Sequence, residues 1–358
     1  MFLVKLTWQP FGLELAHRWT IASGLGPGGG GGTDVFDVMF VELRDPDGMV
    51  GTGESAPSSR YGETVESTRA FLERVDPARL SFSDVPGSMA YLETVAPNNF
   101  APKGALNIAL LDGAARQAHQ PIHSWLGLDF VEDQHRTSFS IGLDRPEVIR
   151  QKTMEAASYP ILKLKVGSPL DRENLAALRS AAPTKTVRAD ANEAWQTREE
   201  ALRRLEWLAE DGNIELVEQP MPATASVKDL HWLKARSPLP LMADESFLCA
   251  HDAYRCAEGF HSVNVKLVKT GGISGAFEAL QAARRLGLKT MIGCMIESSI
   301  LITAAAHLAA LADYLDLDGN LLVTNDPFTG VTAEGGLISF RHAEELIGLR
   351  VRPRLASD

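Results

Sequence analysis

The chain has 358 residues, 45% of them apolar, enough to bury a large core and build one large domain with a smaller one beside it. A formal net charge of −11 opposes wide contact with phosphate backbones or anionic lipid, so neither nucleic acid nor membrane is an expected partner. The three cysteines, Cys249, Cys256 and Cys294, are odd in number and lack Cys-x-x-Cys spacing, which argues against a disulfide framework or thiolate zinc site and favours a reducing, cytoplasmic setting.

Met1 to Pro10 carries Lys5 and Gln9 within a short apolar stretch. It matches neither a signal-peptide core nor a membrane span, and reads as a first strand. Val35 to Leu43 also reads as a strand, while Glu63 to Val75 and Lys103 to His119 have helical spacing, so residues 1–125 are expected to form an α+β unit. Between these strands, Gly24, Gly26 and Gly29 spell a Gly-x-Gly-x-x-Gly pattern, followed by Gly30 to Gly32. A dinucleotide fingerprint follows a strand and opens a helix; this run precedes a strand instead, and reads as a lid. From Trp19 to Thr33 there is no Lys or Arg.

From Thr137 the texture changes to short β-rich runs alternating with amphipathic segments. The runs are Thr137 to Leu143, Ile161 to Gly167, Thr186 to Asn192, Ile214 to Pro220, Leu239 to Ser246, Ser262 to Lys269, Lys289 to Ser298 and Tyr314 to Asp318. Strand–helix alternation implies a parallel sheet, and eight such runs imply an α/β barrel closed on itself, expected over residues 126–330. Residues 331–358 are too few for another domain and are expected to return to the N-terminal unit.

Barrels of this kind do their chemistry at the C-terminal ends of the strands. There the second run carries Lys163 and Lys165, the third Asp190 and Asn192, the fourth Glu218, the fifth Asp244 and Glu245, and the sixth Lys266. The separations 25 (165 to 190), 28 (190 to 218), 26 (218 to 244) and 22 (244 to 266) each match about one strand–helix repeat. Three carboxylates on adjacent strands repel unless a cation neutralises them, and oxygen donors without His or Cys favour Mg²⁺ or Mn²⁺. Asp190, Glu218 and Asp244 are thus the expected ligands, with Asn192 and Glu245 behind them. Strand alternation puts Lys163 and Lys165 on one face. Two lysines beside a cation disfavour each other's charge, which favours a neutral amine, so Lys165 is expected as a base and Lys163 as its electrostatic neighbour. Lys266 is preferred over Lys269, which falls beyond the strand. Four strands apart on an eight-stranded ring, Lys165 and Lys266 face each other.

The segments Gly53-Glu54-Ser55-Ala56-Pro57, Lys163-Leu164-Lys165-Val166-Gly167, Val217-Glu218-Gln219-Pro220, Ala243-Asp244-Glu245-Ser246 and Lys266 to Gly272 resemble the enolase superfamily, specifically its muconate-lactonizing subgroup. The resemblance implies a (β/α)₇β barrel under an α+β capping domain, closing over substrate with loops near residues 17 to 33 and 55 to 61. It also implies abstraction of a proton α to a carboxylate, with a metal stabilising the enediolate and one lysine on each face. Asp316-Leu317-Asp318-Gly319 looks like the Asp-x-Asp signature of this subgroup's dipeptide epimerases, which grips the substrate ammonium. Glu297, Ser138 and Arg18 complete the expected substrate contacts. The enzymatic alternatives are N-acylamino acid racemase, o-succinylbenzoate synthase and lactone-forming cycloisomerase; the non-enzymatic one is an inactive binding barrel. The expected partner is a small dipeptide, and a homo-oligomer is compatible with the sequence.

Overall fold

The computed structural model describes residues 4–22 and 32–355. The glycine-rich stretch Gly24 to Gly31, expected as a lid, lies outside them.

Strands β1 (Lys5–Trp19), β2 (Thr33–Arg44) and β3 (Val50–Ser55) form an antiparallel sheet in that order. The first strand runs well past the expected Pro10. Proline lacks an amide donor, but β1 is the edge strand of this sheet and Pro10 is paired with Met39 of β2, so a missing donor there disrupts no second ladder of the sheet. The helix Phe100–Gln117 lies flat on β3: a Cβ at Gly53 would come within 2.0 Å of the Ala105 carbonyl oxygen, and one at Gly51 equally close to that of Ala109. The helix backbone therefore touches the strand backbone. Gly53→Ala is expected to destabilise the chain by roughly 2 kcal/mol, the ordinary cost of overpacking. An unchanged midpoint in urea unfolding would contradict this packing.

Eight parallel strands make the second layer: β4 (Phe139–Ile141), β5 (Ile161–Lys165), β6 (Thr186–Asp190), β7 (Ile214–Glu218), β8 (Leu241–Ala243), β9 (Ser262–Lys266), β10 (Lys289–Gly293) and β11 (Tyr314–Asp316). Each is hydrogen-bonded to the next in chain order. A parallel bridge between Thr137 and Leu315, with the Ser138 amide donating to the Leu315 carbonyl at 3.2 Å, brings the ends of the ring together. Helices such as Asp171–Ala181, Arg198–Ala209 and Ile273–Arg285 cover the outside, giving the TIM-like barrel. Thr197 and Ser226 cap two of the barrel helices by accepting from the amides of Glu200 and Asp229.

Every expected run contains a strand, yet each strand is shorter than its run. Just past the strand ends the chain turns out of the sheet through left-handed residues, with φ of 40° at Asn192, 68° at Glu193 and 34° at Gln219, and Leu267–Thr270 coils into a helix. These exits carry the site.

Three contacts tie the sheet-and-helix cap to the barrel. Glu54 on β3 accepts from the Ser298 amide at 2.9 Å and its hydroxyl at 2.5 Å, Asn107 donates to Ser274 at 2.8 Å, and Arg60 pairs with Glu193. Near the C-terminus, the Leu349 amide donates to Asp112 at 2.7 Å and Glu345 pairs with Arg116, both on the cap helix. Among the described residues no helix is long and apolar enough to cross a membrane.

Candidate active site

A cavity of about 350 Å³ opens at the C-terminal ends of the strands and is roofed by the cap. Lys163, Lys165, Asn192, Asp244, Glu245, Lys266 and Asp316 line its barrel side. Lys165, Asp190 and Glu218 are register partners across β5, β6 and β7, and Lys266, Gly293 and Asp316 across β9, β10 and β11. Two groups of charged side chains thus face each other across the barrel. Gly293 keeps the second open, because a Cβ there would lie 2.5 Å from the Asn264 side-chain oxygen.

Each lysine is bound to carboxylate. Lys163 Nζ lies 2.7 Å from Asp316, 2.9 Å from Glu218 and 3.1 Å from Asp190; Lys165 Nζ lies 2.6 Å from Asp190. Lys266 and Lys269 take the two oxygens of Asp244 at 2.8 and 2.6 Å. The expectation of mutual discharge by Lys163 and Lys165 omitted these acids. Burial acts to discharge Lys163, but Asp316, Glu218, Asp190 and Asp244 outweigh it and hold its ammonium well above the ordinary range. Lys266 is likewise held up by Asp244 against its burial. Lys269, which also donates to the carbonyls of Asp244 and Asn264 at 2.7 and 3.0 Å, is a buried strut absent from the cavity wall.

The carboxylates separate by environment. Burial pushes Glu218 up to about 7, with Asp190 next in effect, whereas Lys266 and Lys269 hold Asp244 far below the usual range against its burial. Glu245 is raised to about 8 by burial and then by Asp244. Among the described residues no cluster of His, Cys, Asp or Glu is already drawn together around a common metal position; the Lys163 ammonium lies between Asp190 and Glu218 instead. The donor chemistry nonetheless suits a hard divalent cation. Asp190, Glu218 and Asp244 are almost wholly buried, and Glu218 Oε2, Asn192 Oδ1 and Glu245 Oε2 are buried oxygens that accept no hydrogen bond. Glu218 Oε2 is close to Lys163 without being aligned for a hydrogen bond, so their attraction is purely Coulombic.

At the end of β11, Asp316 accepts from Ser138 at 2.6 Å as well as from Lys163, while Asp318 accepts from the Ser140 amide at 2.5 Å. Burial alone would raise both; Lys163 overrides it at Asp316, held at about 2, but Asp318 is pushed to about 7 by burial and by Asp316. Together they form a buried acceptor pair short of positive charge. Glu297 is buried, accepts from the Met295 amide at 2.9 Å and is raised to about 7 by that burial. Glu297, Ser138 and Asp318 do not line the cavity; Ser138 and Asp318 are bonded to the lining residues Asp316 and Ser140, and Glu297 follows the lining residue Ile296. Arg18 is not among the described residues that line the cavity: its guanidinium pairs with Asp34 at 2.9 Å and donates to the carbonyl of Gly32, a lining residue, at 3.0 Å.

Several members went unread in the sequence. Gln219 holds the fifth strand's exit by accepting from the Asp244 and Ser246 amides at 2.9 and 3.1 Å, and Asn264 donates to Glu218 at 2.9 Å. The latter had a signal, since Asn264 shares a strand face with Lys266. Of the roof residues, Trp19 and Tyr61 fall in the loops near 17 to 33 and 55 to 61 that the family resemblance implied, whereas Phe36 had no signal, because cap-to-barrel distance is not encoded in local spacing.

A family model described as enolase C-terminal domain-like matches residues 147–329. The chain is 58% identical over 351 residues to an L-Ala-D/L-amino acid epimerase of Pedosphaera parvula, covering 98% of this chain and all of that one. It is 37% identical to an L-Ala-D/L-Glu epimerase of Bacteroides thetaiotaomicron, covering 94% and 85% respectively. Its fold matches the crystal structure of a dipeptide epimerase from Enterococcus faecalis complexed with Mg and L-Leu-L-Tyr, with a TM-score of 0.87, 30% identity and coverage of 98% and 99%.

Proposed function

The chain belongs to the enolase superfamily, and from that premise we propose that it is a Mg²⁺-dependent dipeptide epimerase inverting the α-carbon of the C-terminal residue. The observation that carries this reading is Asp316 at the end of β11, lining a cavity that has Lys165 and Lys266 on opposing strands, with the buried Asp318 two residues on. An ammonium at that pair supplies the positive charge Asp318 lacks. An N-acyl or dicarboxylate substrate carries no such group and would set its own oxygens against two acids. The similarity to epimerases acting on L-Ala dipeptides supports the same substrate class.

Asp190, Glu218 and Asp244 would hold the cation, with Asn192 and Glu245 beside it; Mn²⁺ suits the same oxygens. When bound, the cation supplies positive charge next to the substrate carboxylate and so acidifies the neighbouring C–H. Lys165 removes the α-proton from one face and Lys266 returns a proton to the other, or the reverse for the opposite stereoisomer. Lys163 balances Asp190, Glu218 and Asp316, and Ser138 orients Asp316 for the ammonium. Trp19, with its ring centre 6.0 Å from Lys165 Nζ, keeps water from that side of the reacting carbon. The three cysteines are free, which supports a cytoplasmic setting.

The test is a dipeptide library incubated with protein and Mg²⁺ in D₂O and read by mass spectrometry. Deuterium is expected at one α-carbon of dipeptides with a free amine and not in their N-acetyl forms, and Asp316→Asn is expected to narrow that difference by roughly tenfold. Turnover of N-succinyl amino acids with no deuterium in any dipeptide would replace this reading with the racemase one.

A further inference from the structure

The described wall left for the second side chain of a dipeptide is uncharged with one exception, its polar groups being those of Thr33, Ser58 and Tyr61. If the ammonium lies at Asp316 and Asp318 and the reacting carbon between Lys165 and Lys266, that side chain faces the roof, where Trp19, Ile21, Phe36, Ile296 and Leu322 line the cavity. The exception is Arg60, on the turn Ser59–Tyr61. It is the one cation lining the described cavity outside the lysine cluster, and the adjoining Ser23 to Gly31 contain no Lys or Arg.

Arg60 does not meet the cavity as a bare charge. Its Nε and Nη2 both donate to the Glu193 carboxylate at 2.8 Å, a two-pronged pair matching the planar guanidinium. Glu193 is itself fixed. It sits in the left-handed turn that ends β6, with φ of 68°, its Oε1 also accepts from the Ala223 amide at 2.7 Å, and its side chain is 14% exposed. A residue other than glycine held in that conformation, three positions past Asp190, points its carboxylate from the barrel at the one roof cation among the described lining residues. Bound in this way, the two side chains leave the roof no net positive charge to offer a substrate carboxylate.

We propose that Glu193 is a specificity-determining residue, which by neutralising Arg60 makes the cavity select dipeptides whose second side chain is uncharged and apolar. The proposal rests on the dipeptide-epimerase reading and adds to it the chemistry of the second residue. Glu193 touches neither the reacting carbon nor the metal ligands and acts through Arg60.

The experiment compares kcat/KM for Ala-Leu and Ala-Glu by α-deuterium exchange in Mg²⁺-loaded protein, for the parent chain, Glu193→Gln, Arg60→Ala and the double variant. Gln keeps an acceptor for the Ala223 amide while removing the charge. The parent is expected to favour Ala-Leu, and Glu193→Gln to raise the Ala-Glu to Ala-Leu ratio roughly fivefold, the scale of a half-exposed ion pair. The double variant should cancel that gain. Arg60→Ala alone, on an exposed turn, leaves the Glu193 carboxylate without its partner beside the roof and should lower the ratio a few-fold. A parent that prefers Ala-Glu, a ratio unmoved by Glu193→Gln, a gain that survives in the double variant, or a rise in the ratio with Arg60→Ala each overturns the proposal while leaving the epimerase reading intact. Absence of exchange in every dipeptide removes both.

Discussion

Lys266→Ala is expected to lower epimerisation by about 10²–10⁴-fold, the usual contribution of a positioned general acid or base, while sparing proton exchange from one of the two stereoisomers. The expectation follows from the ring. Lys165 ends β5 and Lys266 ends β9, four strands apart, and both line the same cavity, so a carbon between them presents one face to each. Inversion needs both amines, but exchange needs only the one that faces the proton. Proton NMR in D₂O, started separately from each stereoisomer, reads this asymmetry directly. Lys165→Ala should show the mirror pattern, and equal loss of exchange from both stereoisomers in either variant would refute the two-base arrangement. The substitution leaves Asp244 with Lys269 as a buried partner at 2.6 Å, so the carboxylate is not stranded without a cation.

How much of this was legible in sequence depends on the range of the interaction. The barrel was, because strand and helix periods are local and the acids and lysines recur at one residue per repeat; Asp190, Glu218 and Asp244 could be singled out from spacing alone. The ionic state of the lysines was not. Like charge between Lys163 and Lys165 is a neighbour effect visible in the chain, but at Lys163 it is outweighed by Asp316, Glu218, Asp190 and Asp244 together, and Asp316, 2.7 Å away, comes from β11, 153 residues on. Arg18 also depends on a contact outside its own segment. Its place beside the loop made it a candidate for the pocket, yet β1 aims it at Asp34 on the neighbouring strand. Arg60 and Glu193, separated by 133 residues, become partners only when the cap settles on the barrel. Local pattern located the catalytic floor, and tertiary packing decided the roof.

Removing divalent cation is expected to stop turnover altogether, and Glu218→Gln to reproduce most of that loss by about 10³-fold or more, since cation charge at the reacting carboxylate contributes several kcal/mol. The structure shows why one carboxylate matters so much. Asp190 has Lys165 and Lys163 beside it, and Asp244 has Lys266 and Lys269, whereas Glu218 has Lys163 alone, out of hydrogen-bonding alignment, and a donor in Asn264. Of the three it is the least compensated by the protein and the one raised toward neutrality, so it gains most from an added cation. Binding to the folded state alone should raise stability by about 2.7 kcal/mol at a Mg²⁺ concentration a hundred times the dissociation constant. Thermal melting with and without Mg²⁺ therefore tests the site independently of catalysis: the parent should gain, and Glu218→Gln should gain little. Lys163 stays paired with Asp190 and Asp316 in that variant, so the cation-free protein should melt near the parent. A Mg²⁺-dependent rise of the same size in Glu218→Gln, together with turnover that persists in excess chelator, would mean that these carboxylates serve only to pair the lysines.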